Sequence, residues 1–121
     1  MTLYVDGFVL PIPKKNMAAY RRIARIACKV WMDHGALEYR EAVGDDLKAK
    51  FGTPFQKLAG LRAGETAIFA WIVYKSRAHR DRVNRTVMSD KRLQDLMQPG
   101  AMPFDSKRLS YGGFKVFVSG S

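Results

Sequence analysis

Apolar residues in this chain follow two different spacings in a fixed order, and that order is compatible with few folds. Over residues 4–10 they alternate, as in a strand, and over residues 13–35 they recur every three or four positions, as in an amphipathic helix. A second strand is predicted at residues 36–44. In the polar stretch that follows, residues 53–58 are predicted to form a short helical turn.

The second half of the chain repeats the order strand, helix, strand. The most apolar run, residues 66–74, predicts a central strand that is covered on both faces. Ser76 is a typical N-cap of a helix with a basic outer face, and a break at Ser89 begins a short helix that runs to residue 97. The last strand, residues 108–118, contains Gly112-Gly113, a pair that predicts a bulge or a close backbone approach.

Together these elements predict an α+β protein with the ferredoxin-like order strand, helix, strand, strand, helix, strand (βαββαβ). That order forms a four-stranded antiparallel sheet with both long helices on one face. A chain of 121 residues buries enough surface for one core but not for two, so residues 1–121 are predicted to be a single domain.

One face of such a sheet has no helices, and the alternation of side chains predicts which residues lie there. In the first strand the small or apolar set is predicted to face the helices, and it consists of Val5, Gly7 and Val9. The intervening side chains then point away from the helices, and these are Tyr4, Asp6 and Phe8. The central strand is apolar on both sides, with Phe69 and Trp71 on one of them. Because so much aromatic surface is unfavourable in water, a second copy of the chain is expected to cover the open face, which predicts a homodimer.

Composition and spacing exclude several classes of protein. The single cysteine, Cys28, cannot form an internal disulfide, which favours a reducing compartment and predicts a cytoplasmic protein. No apolar run approaches the roughly 20 residues that span a bilayer, so neither a membrane span nor a targeting segment is expected. His34 and His79 have no companions at metal-ligand spacing, and no glycine-rich phosphate loop is present. Neither a metal nor a cofactor is therefore predicted.

Four longer segments carry a family resemblance. They are residues 4–16 (YVDGFVLPIPKKN), residues 34–41 (HGALEYRE), residues 71–81 (WIVYKSRAHRD), and residues 102–105 (MPFD) followed by Arg108 and residues 111–114 (YGGF). In this order they resemble domain-of-unknown-function family 1428, the YbaA-like proteins, over nearly the whole chain. The resemblance implies a dimeric α+β barrel, in which two protomers close their sheets around a central cavity. Relatives in that superfamily include cofactor-independent monooxygenases, haem-handling proteins and small-molecule sensors.

Asp6 is the candidate catalytic residue. A carboxylate in the middle of an inner strand is costly unless it is paired or hydrogen-bonded, and Arg40 or Glu38 of the second strand is the expected neighbour. Two interpretations remain open. Asp6 is either a general base or ligand anchor in the inter-sheet cavity, or a member of a structural ion pair or polar contact across the dimer.

The predicted ligand-binding set combines Asp6 and Arg40 with the aromatic side chains that would face the cavity. The aromatic members are Tyr4, Phe8, Phe69 and Trp71. They suit a small, flat apolar or phenolic molecule, bound for cofactor-independent chemistry or for sensing. The same side chains would equally form the packed core of a dimer interface.

The charge of the chain supports an alternative function. The chain has 21 Lys+Arg against 11 Asp+Glu, and arginines follow the outer faces of both long helices. The candidates for binding RNA or another polyanion are Arg21, Arg25, Arg80 and Arg85. No aromatic residues alternate with them to stack on bases, and charged helix faces are usually only solvated, so nucleic acid is the less favoured partner.

Overall fold

The computed structural model describes residues 2–120, which form a four-stranded sheet and four α-helices. The strands are β1 (Tyr4–Pro13), β2 (Glu38–Val43), β3 (Glu65–Tyr74) and β4 (Ser110–Lys115). The helices are α1 (Met17–Asp33), α2 (Phe55–Leu58), α3 (Arg77–Met88) and α4 (Lys91–Leu96). Two short 3-10 turns precede α1 and β4, and these are Lys14–Asn16 and Ser106–Arg108.

The sheet has the order β2-β3-β1-β4, and each pair of neighbouring strands is antiparallel. Two strands from opposite halves of the chain, β1 and β3, therefore lie at its centre. This is the ferredoxin-like arrangement that the order of strands and helices predicts, and the α+β fold class is confirmed.

β1 continues past its predicted end at residue 10. Pro11 and Pro13 lie within the strand, opposite Ala67 and Glu65 of β3. A proline nitrogen has no hydrogen to donate. It is tolerated here because pairing with β4 stops at Val9, so that beyond this residue β1 has a neighbour only on its β3 side.

The helices of the second half begin with the predicted capping chemistry. Ser76 precedes α3, and its hydroxyl accepts a hydrogen bond from the backbone N–H of His79 at 3.1 Å. Asp90 precedes α4, and its carboxylate accepts one from the backbone N–H of Arg92 at 2.9 Å. Each cap pairs a backbone donor that the first helical turn leaves without a partner.

The prediction of which face of β1 meets the helices is wrong. Tyr4 and Asp6 are buried on the side of the sheet that the helices cover, and Phe8 packs into the core on that side. The alternate set, from Val5 to Val9, lies on the open side. The space between a sheet and a helix layer must be filled to the density of a protein interior, and the larger side chains fill it better than two valines and a glycine.

Two buried clusters hold the sheet and the helices together. The members of the first are Tyr4, Val30, Ala36, Ile72, Tyr74, Val83, Val87 and Leu93. The members of the second are Leu10, Ile12, Tyr20, Ile68 and Ala70. Phe8 packs against both clusters, so they meet at the middle of β1.

The opposite side of the sheet carries exposed aromatic side chains. Phe69 is 47% exposed and Phe114 is 61% exposed. The ring of Trp71 lies 5.5 Å from that of Phe69, and Phe55 of α2 stacks on Phe69 at 6.1 Å. The Phe114 ring covers Gly7, whose absent Cβ would lie 3.3 Å from it. We call this side the open face and define it by Val5, Val9, Phe69, Trp71 and Phe114.

Within residues 2–120, no helix combines the length and the apolar character needed to cross a bilayer.

Candidate functional site

A pocket of about 370 Å³ lies between the helix-covered side of the sheet and the helices α1, α3 and α4. The segment between α4 and β4 contributes Met102 and Phe104 to its wall. Most of the lining is apolar, and it includes Leu10, Ile23, Trp31, Ile72, Leu93 and Leu96. The pocket belongs to a single protomer and is separate from any cavity between two sheets.

Small residues contribute to the walls of the pocket and leave space inside it. α1 contributes Ala24 and Ala27, and β3 contributes Ala70. Flexible side chains, Met88 and Met97, line the helical side. Methionine adapts to irregular shapes, so this wall can adjust to an occupant.

Asp6 lies in the wall of this pocket, near the middle of β1, and is 1% exposed. It is paired across the sheet with Ile72 of β3 and Gly113 of β4. Among residues 2–120, no group forms a hydrogen bond with its Oδ1 atom. The nearest cationic atom is Nε of Arg80, at 3.6 Å, and this atom likewise has no hydrogen-bond partner in the described chain. A buried carboxylate oxygen without a donor is costly, so the site retains an underpaired group.

Arg80 is held beside Asp6 by two tyrosines. Its Nη2 donates to the Tyr4 hydroxyl at 3.1 Å, its Nη1 donates to the Tyr111 hydroxyl at 3.4 Å, and its guanidinium stacks over the Tyr4 ring at 4.9 Å. The close backbone approach predicted at the glycine pair is found here. A Cβ on Gly113 would lie 2.8 Å from Nη2 of Arg80, so only glycine leaves room for this side chain.

Burial raises the pKa of Asp6 above the value of 3.8 expected for an aspartate in water. The charge of Arg80 and the polar groups of Tyr74, Asn84 and Tyr111 act in the opposite direction, but they do not compensate for the lost hydration. The carboxylate is therefore a stronger base than an exposed aspartate.

A second polar group on the same wall joins α1, β3 and α3. The indole Nε1 of Trp31 donates to the Tyr74 hydroxyl at 3.1 Å and to the side-chain oxygen of Asn84 at 3.2 Å. The Tyr74 hydroxyl in turn donates to that oxygen at 3.3 Å. These bonds fix the position of Asn84 next to Asp6.

Glu41 of β2 is the other carboxylate in the pocket wall. It accepts hydrogen bonds from the hydroxyls of Tyr20 and Tyr39, the latter at 2.7 Å. Burial and the adjacent carboxylate raise the pKa of both tyrosines, so the two hydroxyls keep their protons. Glu41 is thus satisfied where Asp6 is not.

The predicted ligand-binding residues are divided between the two sides of the sheet. Asp6 and Phe8 line the pocket, and Tyr4 holds Arg80 beside it. Phe69 and Trp71 belong to the open face, as does Arg40, which lies opposite Trp71 and bonds to Glu38 at 2.7 Å. The expectation that Arg40 or Glu38 is the neighbour of Asp6 is wrong, because these side chains lie on the other side of the sheet.

The arginines proposed for polyanion binding also have different locations. Arg21, Arg25 and Arg85 are exposed on α1 and α3. Arg80 is not part of that outer surface, since its side chain is 17% exposed and points to Asp6. Within residues 2–120, no group of three or more His, Cys, Asp or Glu side chains converges as a metal site would require.

Sequence reasoning missed Arg80, Asn84 and Tyr111 as neighbours of Asp6. The spacing of α3 contains a signal for two of them, because Arg80 lies three positions before the buried Val83 and Asn84 lies three positions before the buried Val87. They therefore share the inner side of the helix. Tyr111 is opposite Phe8 in the register of β4, so it could be assigned only once the side of β1 was known.

Comparisons with known proteins agree with the resemblance. Residues 3–106 match the family described as "Protein of unknown function (DUF1428)". "Uncharacterized protein YbaA" of Escherichia coli K12 is 36% identical over 115 residues, which cover 95% of this chain and 97% of that protein. The YbaA protein of Shigella flexneri matches to the same extent.

Similarity to solved structures is low. The designed protein "De novo designed protein Foldit4" aligns with 98% of this chain and all of its own, at 10% identity and a TM-score of 0.45. A "putative amidohydrolase/peptidase" from Burkholderia cenocepacia aligns with 96% of this chain and 27% of its own, at 11% identity and a TM-score of 0.34. The family rests on the sequence matches, and the chain belongs to the YbaA-like DUF1428 family.

Proposed function

We propose that the protein binds a small, mainly apolar molecule in the pocket between the sheet and the helices, with the polar group of that molecule directed at Asp6. The observation that carries this proposal is the carboxylate of Asp6, which lies in the wall of an apolar pocket and whose buried Oδ1 makes no hydrogen bond within residues 2–120. A ligand with a hydroxyl or N–H group would supply the missing donor.

The size and lining of the pocket support this class of ligand. Its volume of about 370 Å³ lies in the range that small-molecule sites occupy. Aromatic and methionine side chains favour a flat or branched apolar skeleton, and of the two carboxylates in the wall only Asp6 is left without its full set of hydrogen bonds. The proposed site lies inside each protomer, which differs from the inter-sheet location that the resemblance implied.

Fluorescence titration with 2-naphthol tests the proposal. The Ala27→Leu variant adds bulk inside the pocket and should weaken binding at least about tenfold, which corresponds to about 1.4 kcal/mol. The matched control is Ala18→Leu, since Ala18 is exposed on the same helix. 2-Methoxynaphthalene cannot donate a hydrogen bond and should bind more weakly than 2-naphthol. Equal affinities of wild type and Ala27→Leu would contradict the site.

We also propose that a second copy of the chain covers the open face. Its support is the apolar character of that face, where Phe69 is about half exposed and Phe114 is 61% exposed. Trp71 lies there between polar Arg40 and small Gly7 on the neighbouring strands. Extensive exposed apolar surface marks an interaction site in a folded protein. A two-fold contact would place equivalent residues of both copies against each other.

A further inference from the structure

We infer that the pocket is a proton-transfer site, in which Asp6 removes a proton from carbon next to the carbonyl group of a flat, apolar ketone and the Tyr111 hydroxyl holds the carbonyl oxygen. The inference rests on the proposed function, because it assigns chemistry to the same pocket. It adds a reaction class and a role for two residues.

Asp6 has the position that a general base requires. It lines the pocket, it is 1% exposed, and its Oδ1 makes no hydrogen bond within residues 2–120, so the carboxylate keeps lone pairs that can accept a proton. β1 is paired on both sides at this residue, which fixes the backbone that carries the carboxylate. Burial removes water from the carboxylate, and a desolvated carboxylate is a stronger base. Glu41, the other carboxylate in the wall, already accepts hydrogen bonds from two tyrosines.

Tyr111 is placed to stabilise the negative charge that develops on the substrate. It lines the pocket, and its ring stacks on Phe8 with centroids 4.9 Å apart. Its oxygen accepts a hydrogen bond from Arg80, and its own hydrogen can be donated either to Asp6 or to a bound carbonyl oxygen. Tyr111 and Asp6 occupy diagonal positions of β4 and β1 on the same side of the sheet. A bound ketone can therefore reach both groups.

The reaction balances without a co-reactant. The C–H bond next to the carbonyl breaks, and its proton goes to a carboxylate oxygen of Asp6. The electron pair of that bond forms a C=C bond, and the carbonyl π pair moves to the oxygen, which accepts the hydrogen bond of Tyr111. Return of the proton to the same carbon, or to another carbon of a conjugated substrate, restores Asp6. The net reaction is proton exchange or isomerisation.

The test uses 2-tetralone, a bicyclic apolar ketone, as a probe in D₂O. Saturation-transfer NMR measures whether it binds, and the loss of its C1 proton signal measures exchange. The wild type should bind the ketone and exchange it faster than buffer. Asp6→Asn should still bind but lose about 100-fold or more of the enzyme-dependent rate, the usual contribution of a general base. Tyr111→Phe should lose part of this exchange rate, because it removes the hydroxyl that would hold the carbonyl oxygen. Asp46→Asn, the same change at an exposed site, should match the wild type.

Two negative results have different meanings. Binding of 2-tetralone to the wild type without exchange above the buffer rate would overturn the proton-transfer inference and leave the proposed binding function standing. Absence of saturation transfer to 2-tetralone while 2-naphthol still binds would overturn the inference alone, and absence of binding by both probes would contradict the proposed function as well. Unchanged exchange in Asp6→Asn would also overturn the inference, because the base would then be another group.

Discussion

Asp6 is the residue on which the proposed function depends most, since the fold keeps a buried carboxylate that it does not fully pair. Burial raises its pKa, which means that the native state binds the proton more tightly than the unfolded chain does. Charging Asp6 therefore lowers the stability of the fold as pH rises above the unfolded value of 3.8 and through the native pKa. Such a cost is typical of residues kept for function and not for stability.

The Asp6→Asn variant tests this cost. It should melt at the same temperature as wild type or higher near neutral pH, because it removes the uncompensated charge. The difference should disappear below the unfolded pKa of 3.8, where the wild-type carboxyl group is protonated in both states. Thermal melts across this pH range provide the measurement. A large loss of stability at neutral pH would mean that Asp6 acts as a structural partner of Arg80.

Gly113 tests the close approach of β4 to Arg80. Gly113→Ala places a methyl group within 2.8 Å of Nη2 of Arg80, so it should destabilise the protein by about 1–3 kcal/mol, as overpacking usually does. Gly112→Ala is the matched control, since the nearest atom to its new Cβ is 3.7 Å away on Phe114. Urea unfolding compares the two. Equal stabilities would contradict the arrangement of Tyr4 and Arg80 around Gly113.

At the scale of whole elements, periodicity predicts which side chains of a strand share a side, but not which of the two sides faces the helices. Alternation showed that Tyr4, Asp6 and Phe8 share one side of β1, and this grouping is confirmed. Which side meets the helices depends on the volume that the gap requires, and alternation alone does not contain it. Arg80 was missed for a related reason. It lies 74 positions from Asp6 and belongs to a helix, so only the packed fold brings the two together.

The salt bridge between Glu65 and Arg108 joins β3 to the turn before β4. Arg108 Nη1 lies 2.7 Å from Glu65 Oε2, and a second nitrogen donates to the Gly60 carbonyl at 2.8 Å. The guanidinium of Arg108 and the backbone N–H of Arg62 both lower the pKa of Glu65, from 4.5 to about 2. The bridge stabilises the fold above the unfolded value of 4.5 and loses its effect as pH falls towards about 2.

Glu65→Gln should remove this contribution. The variant should be less stable than wild type near neutral pH, and the difference should shrink between about pH 5 and pH 2, where wild type takes up the proton. Guanidinium unfolding at several pH values measures it. The exposed Glu38→Gln provides a comparison on the same sheet. A stability difference that is independent of pH would contradict the role of the ion pair.

At the scale of the whole molecule, the two sides of the sheet have separate roles in our proposals. The helix-covered side contains the pocket, and the open face is proposed to meet a second copy. Light scattering should therefore give about twice the chain mass of 13.7 kDa. Trp71→Glu should yield a monomer or an unfolded chain, because it would bury an unpaired charge. Ile26→Glu, at an exposed position of α1, should remain dimeric. A wild-type monomer would contradict the dimer but not the pocket.

NMR mapping of 2-naphthol on the ¹⁵N-labelled protein tests most directly where the small-molecule site lies. The account predicts that the largest amide shifts occur at pocket residues from three different elements, such as Phe8, Ala27 and Asn84. Amides of the open face, such as Phe69, Trp71 and Phe114, should shift little. Shifts concentrated on the open face, or no saturable shifts at all, would contradict the assignment of the pocket around Asp6 as the binding site.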